Sequence, residues 1–509
     1  MSRVRKTLLN AKVGVIFYFI STVISFITRR IFLEYLGDDF IGLTSTLKSI
    51  LGFLNLAELG IGVAIGFTLY KPLFEKNSAE ISRLVSLIGY LYRRLALVLL
   101  FLGLILSLFF PIFFKGEEIP SIVVYTGFFS YLIAAVLGYV INYSSVVLSA
   151  DQKGYVITAY SQGSIICRQI IQAFIAIWLQ SMILWLVMEL LFAVITSYLI
   201  DFKVKKTYPF LKSRTSYQGN ILTEYTNEIK KIKQVFVHKL SSFVTSGTDQ
   251  ILIYAIIDLK SVAFFGNYFL ITNQLKVLTN NFFSGMAAGV GNLVAENNKA
   301  QIHKVFWEMM GIRFLICGFI TLNLIYLIDP FISLWLGEKY ILNNLIVYLM
   351  IFNLGMNLIR IPIDNYITAY GLYHDTWAPI TQMLINLFVS IFFGLRMGIA
   401  GIMLGTSISM FIIVMIWKPF FLFRDGFKIN VLKHYWPKFL TLIFSLLLSF
   451  VAINLIVNEF LILDTSSYLN FALFVLFLNL IILSCLPLFL YVFNKGFRDF
   501  FHRLKKMLI

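Results

Sequence analysis

TSTLKSILGFLNLAELGIG, residues 44–62, is apolar enough to sit in a bilayer, yet it holds Lys48, Asn55 and Glu58. A charge at the bilayer centre costs roughly 3 kcal/mol on insertion scales, so such residues face protein or water rather than lipid. Thr44, Lys48, Gly52, Asn55, Glu58, Gly62 and Gly66 follow one another at spacings of three or four. That spacing sets them on one face of a helix. The segment reads as a membrane helix with one polar face, which needs a hydrated or protein-lined chamber beside it.

The rest of the chain agrees with a membrane setting. Of its 509 residues 59% are hydrophobic and 13% charged, and the mean hydropathy is +0.85. Soluble domains carry about 25% charged residues. The first apolar stretch lacks a small-residue cleavage site, so it does not read as a signal peptide. Apolar runs predict fourteen spans, near 12–36, 40–70, 93–114, 120–149, 155–179, 181–202, 235–257, 261–294, 305–336, 341–370, 376–395, 398–422, 435–457 and 468–493. The polar gaps between them are too short for a folded soluble domain.

Charge placement gives the orientation. With the N-terminus in the cytoplasm, cytoplasmic segments hold 31 of the 42 Lys and Arg, including a run from Lys418 to Lys438. The outer loops hold four: Lys115, Lys260, Lys339 and Arg396. This is a positive-inside pattern with both termini cytoplasmic. The net charge of +17 is thus a topology device, aided by anionic membrane lipids, and not a nucleic-acid surface. The five histidines fall near cytoplasmic ends, so none forms a mid-membrane proton relay. Cys167, Cys317 and Cys485 lie far apart in apolar segments, with neither metal-ligand nor disulfide spacing.

Seven basic residues remain inside spans: Arg29, Arg30, Lys48, Arg168, Lys276, Arg313 and Arg360. The acids there include Glu58, Glu189, Asp249 and Asp364, with Glu34 near an end. Polar stripes recur around them. Thr272, Lys276, Asn280 and Ser284 mark the eighth span, and Asn353, Asn357, Arg360 and Asp364 the tenth. Ser161, Ser164, Arg168 and Gln172 mark the fifth, Ser21, Ser25 and Arg29 the first, and Ser242, Thr245 and Asp249 the seventh. Stripes from both halves of the chain imply one cationic chamber. Arg29, Lys48, Arg168, Lys276 and Arg360 are its candidate anion-binding residues, because guanidinium and ammonium groups match phosphate oxygens. Glu58, Asp249 and Asp364 would balance these charges or carry a coupling ion, H+ or Na+. Asn55, Asn280 and Asn357 add polar lining, although such residues also serve as helix-packing contacts. Arg313, near the start of its span, reads as a snorkelling residue. Glu189 has no polar stripe around it and receives no role.

The chain also repeats itself. LSADQKGY (148–155) matches AYGLYHDTW (369–377), FPIFFKGEE (110–118) matches DPFISLWLGEK (329–339), and EKNSAEI (75–81) matches ENNKAQI (296–302). The common offset is about 220 residues, which predicts two six-span halves related by duplication. The expected organisation is a bundle over 1–205, a basic cytoplasmic linker over 206–233, a second bundle over 234–425, and two further helices with a basic tail over 426–509.

RRIFLEYLGDDFIGL (29–43), NLAELGIGVAIG (55–66), LSADQKGY and PFISLWLGEKY (330–340) resemble the polysaccharide (O-antigen and capsule) flippases of the MATE-like MOP superfamily. The resemblance covers nearly the whole chain on loose, mostly apolar motifs. It implies an all-α integral membrane protein of about 14 helices, two six-helix bundles in a V plus two C-terminal helices. It also implies a bacterial cytoplasmic membrane location and a cargo of polyprenyl-pyrophosphate-linked oligosaccharide, moved between leaflets by alternating access. Polysaccharide polymerase machinery is an implied partner. In the related lipid II flippases, cations of helices 1, 2 and 8 are thought to receive the pyrophosphate; Arg29, Lys48 and Lys276 lie in the matching helices. Those flippases also use helices 13 and 14 as a groove for the lipid tail, but an Arg-Asp pair would fit them better than Arg29-Arg30.

Three other readings compete. A MATE-type multidrug or cation antiporter should have acids dominating its cavity, whereas bases outnumber acids here. A membrane polymerase or glycosyltransferase needs a sizeable loop to hold a reacting sugar, and the chain has neither such a loop nor an Asp-x-Asp motif. A pure scaffold has no reason to bury Lys48 and Lys276. No catalytic residue and no metal site is expected.

Overall fold

Where each helix stops is set by a few turns that the chain uses twice. Lys76 and Asn297 both adopt left-handed backbone, with φ of 55° and 56°. One residue later, Asn77 and Asn298 cap the next helix, their side-chain oxygens accepting from the amides of Glu80 (3.1 Å) and Gln301 (3.2 Å). Gln152 (φ 57°) and Gly371 (φ 68°) make the same kind of left-handed turn in the second repeated pair.

The computed structural model describes residues 3–55, 68–212, 240–241, 243–245, 247–283, 286–372, 374–460 and 467–508. Among the described residues every regular element is helical. The chain forms two compact units, Met1–Gly266 and Asn267–Ile509. The first unit holds α1 (Arg3–Leu36), α2 (Asp38–Leu54), α3 (Ser78–Ser107), α4 (Ser121–Asn142), α5 (Gly154–Phe174), α6 (Met182–Thr207), α7 (Asp249–Ile256) and the start of α8 (Leu259–Phe282). The second holds the rest of α8, α9 (Lys299–Leu336), α10 (Asn344–Ile359), α11 (Ile361–Ala369), α12 (Trp377–Met397), α13 (Ile399–Met410), α14 (Trp436–Phe460), α15 (Tyr468–Phe493) and α16 (Lys495–Leu508).

Among the described residues, eleven helical segments are long and apolar enough to cross a membrane. They coincide with eleven of the fourteen expected spans. The other three, 40–70, 235–257 and 261–294, run partly through residues outside the described set, as does the basic linker. Helix α3 begins at Ser78, fifteen residues before the expected 93, because the Asn77 cap starts it within a charged stretch that reads as a loop.

Each unit turns large apolar side chains outward, among them Trp178 (79% exposed) and Phe388 (71%). That inversion is stable only where lipid replaces water. Inside, small residues let helices approach. In the first unit a Cβ on Gly42 would stand 1.9 Å from the Leu259 carbonyl oxygen, so α2 crosses the start of α8 in direct backbone contact. In the second unit Gly405 of α13 fits against Ser390 and Asn386 of α12 in the same way. The core of that unit is aromatic at one end, where Phe306, Tyr366, Phe423, Phe427 and Tyr435 meet edge to face.

Candidate functional site

Lys48 lies on α2 between helices α4, α5 and α6. Its Nζ is 3.4 Å from Oε1 of Glu189 on α6, and the other oxygen, Oε2, accepts from Arg168 Nη1 of α5 at 2.5 Å. The Lys48 ammonium also stands 5.0 Å from the Tyr131 ring and 5.8 Å from the Trp185 ring, within cation–π range. Trp185 is held in turn by edge contacts with Phe32 and Phe40 and by Gln172, whose Nε2 donates to its carbonyl at 2.9 Å.

Exposure sorts the three charges. The Glu189 side chain is 6% exposed and Arg168 19%, whereas Lys48 is 48% exposed. Glu189 and Arg168 therefore form a buried support, and the lysine is the accessible member. Two cations on one carboxylate leave one net positive charge. Around the triad, the Tyr131 hydroxyl, Arg168 Nε and Trp185 Nε1 are buried without a hydrogen-bond partner among the described residues. Buried polar atoms are rarely left so unless water or a ligand completes them.

The second unit repeats the charge ratio with different helices. Asp364 of α11 accepts from Arg360 Nε at 2.6 Å and from Lys418 Nζ at 2.5 Å. Arg360 stands at the break between α10 and α11, where Pro362 opens the second helix. Lys276 of α8 makes no ion pair within 4 Å among the described residues; it is largely buried, with the like-signed Arg360 within electrostatic range. Asn280, one turn further along α8, has a buried side-chain oxygen with no hydrogen-bond partner among the described residues.

Several expected pairings come out differently. Glu189, given no role from the sequence, is the carboxylate that Lys48 and Arg168 share. Its only sequence signal is that it is the sole charge in the apolar run of α6 from Met182 to Ile200. Lys418, expected among the cytoplasmic loop charges, lies inside a long helical span and is Asp364's second partner. Arg313 does not snorkel. It is 2% exposed, stacks 4.5 Å from the Phe283 ring, and has no hydrogen-bond partner at Nε or Nη1 among the described residues.

Among the remaining candidates, Arg29 and Asn55 hold polar contacts between helices. Arg29 Nη2 donates to the Ala263 carbonyl at 3.0 Å, which ties α1 to α8. The Tyr139 hydroxyl donates to Asn55 Oδ1 at 3.1 Å. Asn357 donates along its own helix to the Asn353 carbonyl at 2.9 Å. Asp249 is buried in the first turn of α7, beside Gln250, whose Oε1 accepts from Ser49 at 2.9 Å. Glu58, Ser242 and Ser284 lie outside the described residues.

Comparison with solved structures shows where this fold occurs. The chain is similar to lipid II flippase MurJ in an inward closed conformation, with TM-score 0.65 and 17% identity over 92% of this chain and 98% of that one. It is also similar to an inward-facing MATE family multidrug resistance transporter of the MOP superfamily (TM-score 0.53, 14% identity, 81% of this chain and 97% of that one). A third match is a MOP superfamily transporter from Pyrococcus furiosus, described as having a binding pocket of reverse polarity that suggests a different function (TM-score 0.52, 13% identity, 84% and 96%). No protein-family model matches the chain, and no curated protein does. The chain is a multi-pass membrane protein with the fold of MOP-superfamily flippases and transporters. At these identities the likeness carries the fold and nothing finer.

Proposed function

We propose that this chain is a flippase that moves a polyprenyl-pyrophosphate-linked oligosaccharide from the inner to the outer leaflet of a bacterial cytoplasmic membrane. It would do so by alternating access, for surface polysaccharide synthesis, and without catalytic chemistry. The observation that carries this reading is the accessible Lys48 ammonium, held over a carboxylate whose charge Arg168 already neutralises. A pyrophosphate arriving there meets net positive charge and buried donors that lack partners, and in a low-dielectric site such pairings are stronger than in water. Lys276, with no acidic partner among the described residues, is the counterpart in the second unit. The fold supports the reading because it also serves a lipid II flippase.

A carrier of organic cations would need a carboxylate free to meet its cargo. Among the described residues Glu189 and Asp364 are each taken by two cations, so charge balancing, rather than ion coupling, is the role this proposal gives them. Arg29, Arg168 and Arg360 then act as helix ties and supports behind the two lysines. The test is native mass spectrometry of gently purified protein, with wild type set against Lys48→Ala and Lys276→Ala. We expect a polyprenyl-pyrophosphate adduct on wild type and a loss of tenfold or more in each variant. Wild type without any such lipid, or variants that retain it equally, would overturn the assignment.

A further inference from the structure

The second unit contains another cationic concavity, built from different residues. It has a volume of about 450 Å³ and lies where the start of α9, the start of α14 and the junction of α15 with α16 converge. Its charged lining is Lys304, Lys438, Lys495 and Asp499, with His303 beside them and Trp307 and Phe493 as aromatic walls. None of the three ammonium groups forms an ion pair within 4 Å among the described residues. Lys438 rests instead 5.2 Å from the Trp307 ring. Three like charges gathered around one hollow repel one another, and a single carboxylate leaves the hollow with a net charge of about +2.

The walls are fixed rather than loose. A Cβ on Gly496 would stand 2.5 Å from the Trp307 carbonyl oxygen, and one on Gly311 would stand 3.0 Å from the Phe497 backbone. Helix α16 is therefore seated directly on α9. Asn494, 4% exposed, caps α16 by accepting from the Phe497 amide at 2.8 Å. Arg503 of the next turns reaches Glu308 of α9 at 2.9 Å.

From this anchor α16 runs on as a strongly amphipathic basic helix, with Phe501 and Leu504 exposed and Lys505 and Lys506 near its end. A helix of that kind lies in the plane of the lipid headgroups. It sets the level of the concavity at the headgroup layer, on the side the positive-inside pattern assigns to the cytoplasm. Anionic lipid concentrates on that surface.

We propose that this concavity is a binding site for the headgroup of an anionic phospholipid of the cytoplasmic leaflet, with Lys438 and Lys495 as its principal phosphate contacts and Lys304 at its rim. The proposal is independent of what the chain transports. It can be tested on the full-length protein by native mass spectrometry, titrating phosphatidylglycerol and, separately, phosphatidylcholine. We expect one saturable phosphatidylglycerol adduct that phosphatidylcholine does not replace. Lys438→Gln with Lys495→Gln should weaken it by about tenfold or more, while Lys505→Gln with Lys506→Gln, removing equal charge from the exposed end of α16, should change it less than about twofold. Asp499→Asn should tighten it, which keeps the proposal testable if the lysine variants fold poorly. Equal losses in both double variants would show diffuse attraction without a site. Displacement by millimolar inorganic phosphate would show a soluble-anion site, and equal phosphatidylcholine binding a site blind to headgroup charge; each would overturn the proposal.

Discussion

At the scale of single residues, what matters is whether a buried charge has a partner. Glu189 holds two cations, so Glu189→Gln should do two things at once. Stability should fall by about 3 kcal/mol, since removing one member of a buried cluster leaves the others uncompensated. Affinity for a polyprenyl pyrophosphate should rise, because the net charge of the cluster increases by one. Thermal unfolding in detergent and a lipid titration read the two effects separately, and a parallel loss of both would count against an anion site. Lys48 is half-exposed, and Arg168 still neutralises Glu189 without it, so Lys48→Met should cost under about 1 kcal/mol while abolishing binding. Arg313 is the opposite case, a guanidinium buried beside Phe283 without hydrogen bonds at two of its nitrogens. Replacing it by methionine removes that desolvation penalty and should raise stability by about 1 kcal/mol or more. A fall in the melting temperature of that variant would mean the charge is compensated after all.

Elements in this protein are placed by backbone contact as much as by side chains. The crossing of α2 and α8 has no room for a methyl group at Gly42, because the Leu259 carbonyl occupies it. Gly42→Ala should therefore push α2 away from α8 at a cost of about 1–3 kcal/mol. Because α2 carries Lys48, the displacement should also weaken anion binding without any charge being removed. Gly138→Ala, on α4 with open space around its Cβ position, is the control and should leave both readouts unchanged. The caps tell a complementary story. The Asn77 and Asn298 turns are local devices, written in EKNSAEI and ENNKAQI, and their recurrence is visible in the sequence as a repeat. The 93–114 estimate started α3 late because hydropathy sees the charges of the first turns and not the cap that starts them.

For the whole molecule, orientation follows from the charge asymmetry and can be measured. In a variant with Cys167, Cys317 and Cys485 replaced by serine, Lys115→Cys should react with an impermeant maleimide in intact cells, and Lys433→Cys only after permeabilisation. The reverse pattern would invert the topology and move the concavity beside α16 to the outer leaflet. Sequence alone determined that the chain is built to cross a membrane, that several helices carry polar stripes, and that cations outnumber acids within them; among the described residues eleven of the expected spans are helices long and apolar enough to cross. All of these are sums over neighbouring residues, and neighbours in sequence are neighbours on a helix. Only the tertiary structure decided which acid meets which cation. Lys48 and Glu189 are 141 positions apart, and Asp364 and Lys418 are 54 apart. Those pairings depend on the rotation and register of separate helices, which no local pattern records, and the role of Glu189 lies in the packing of α6 beside α2 and α5.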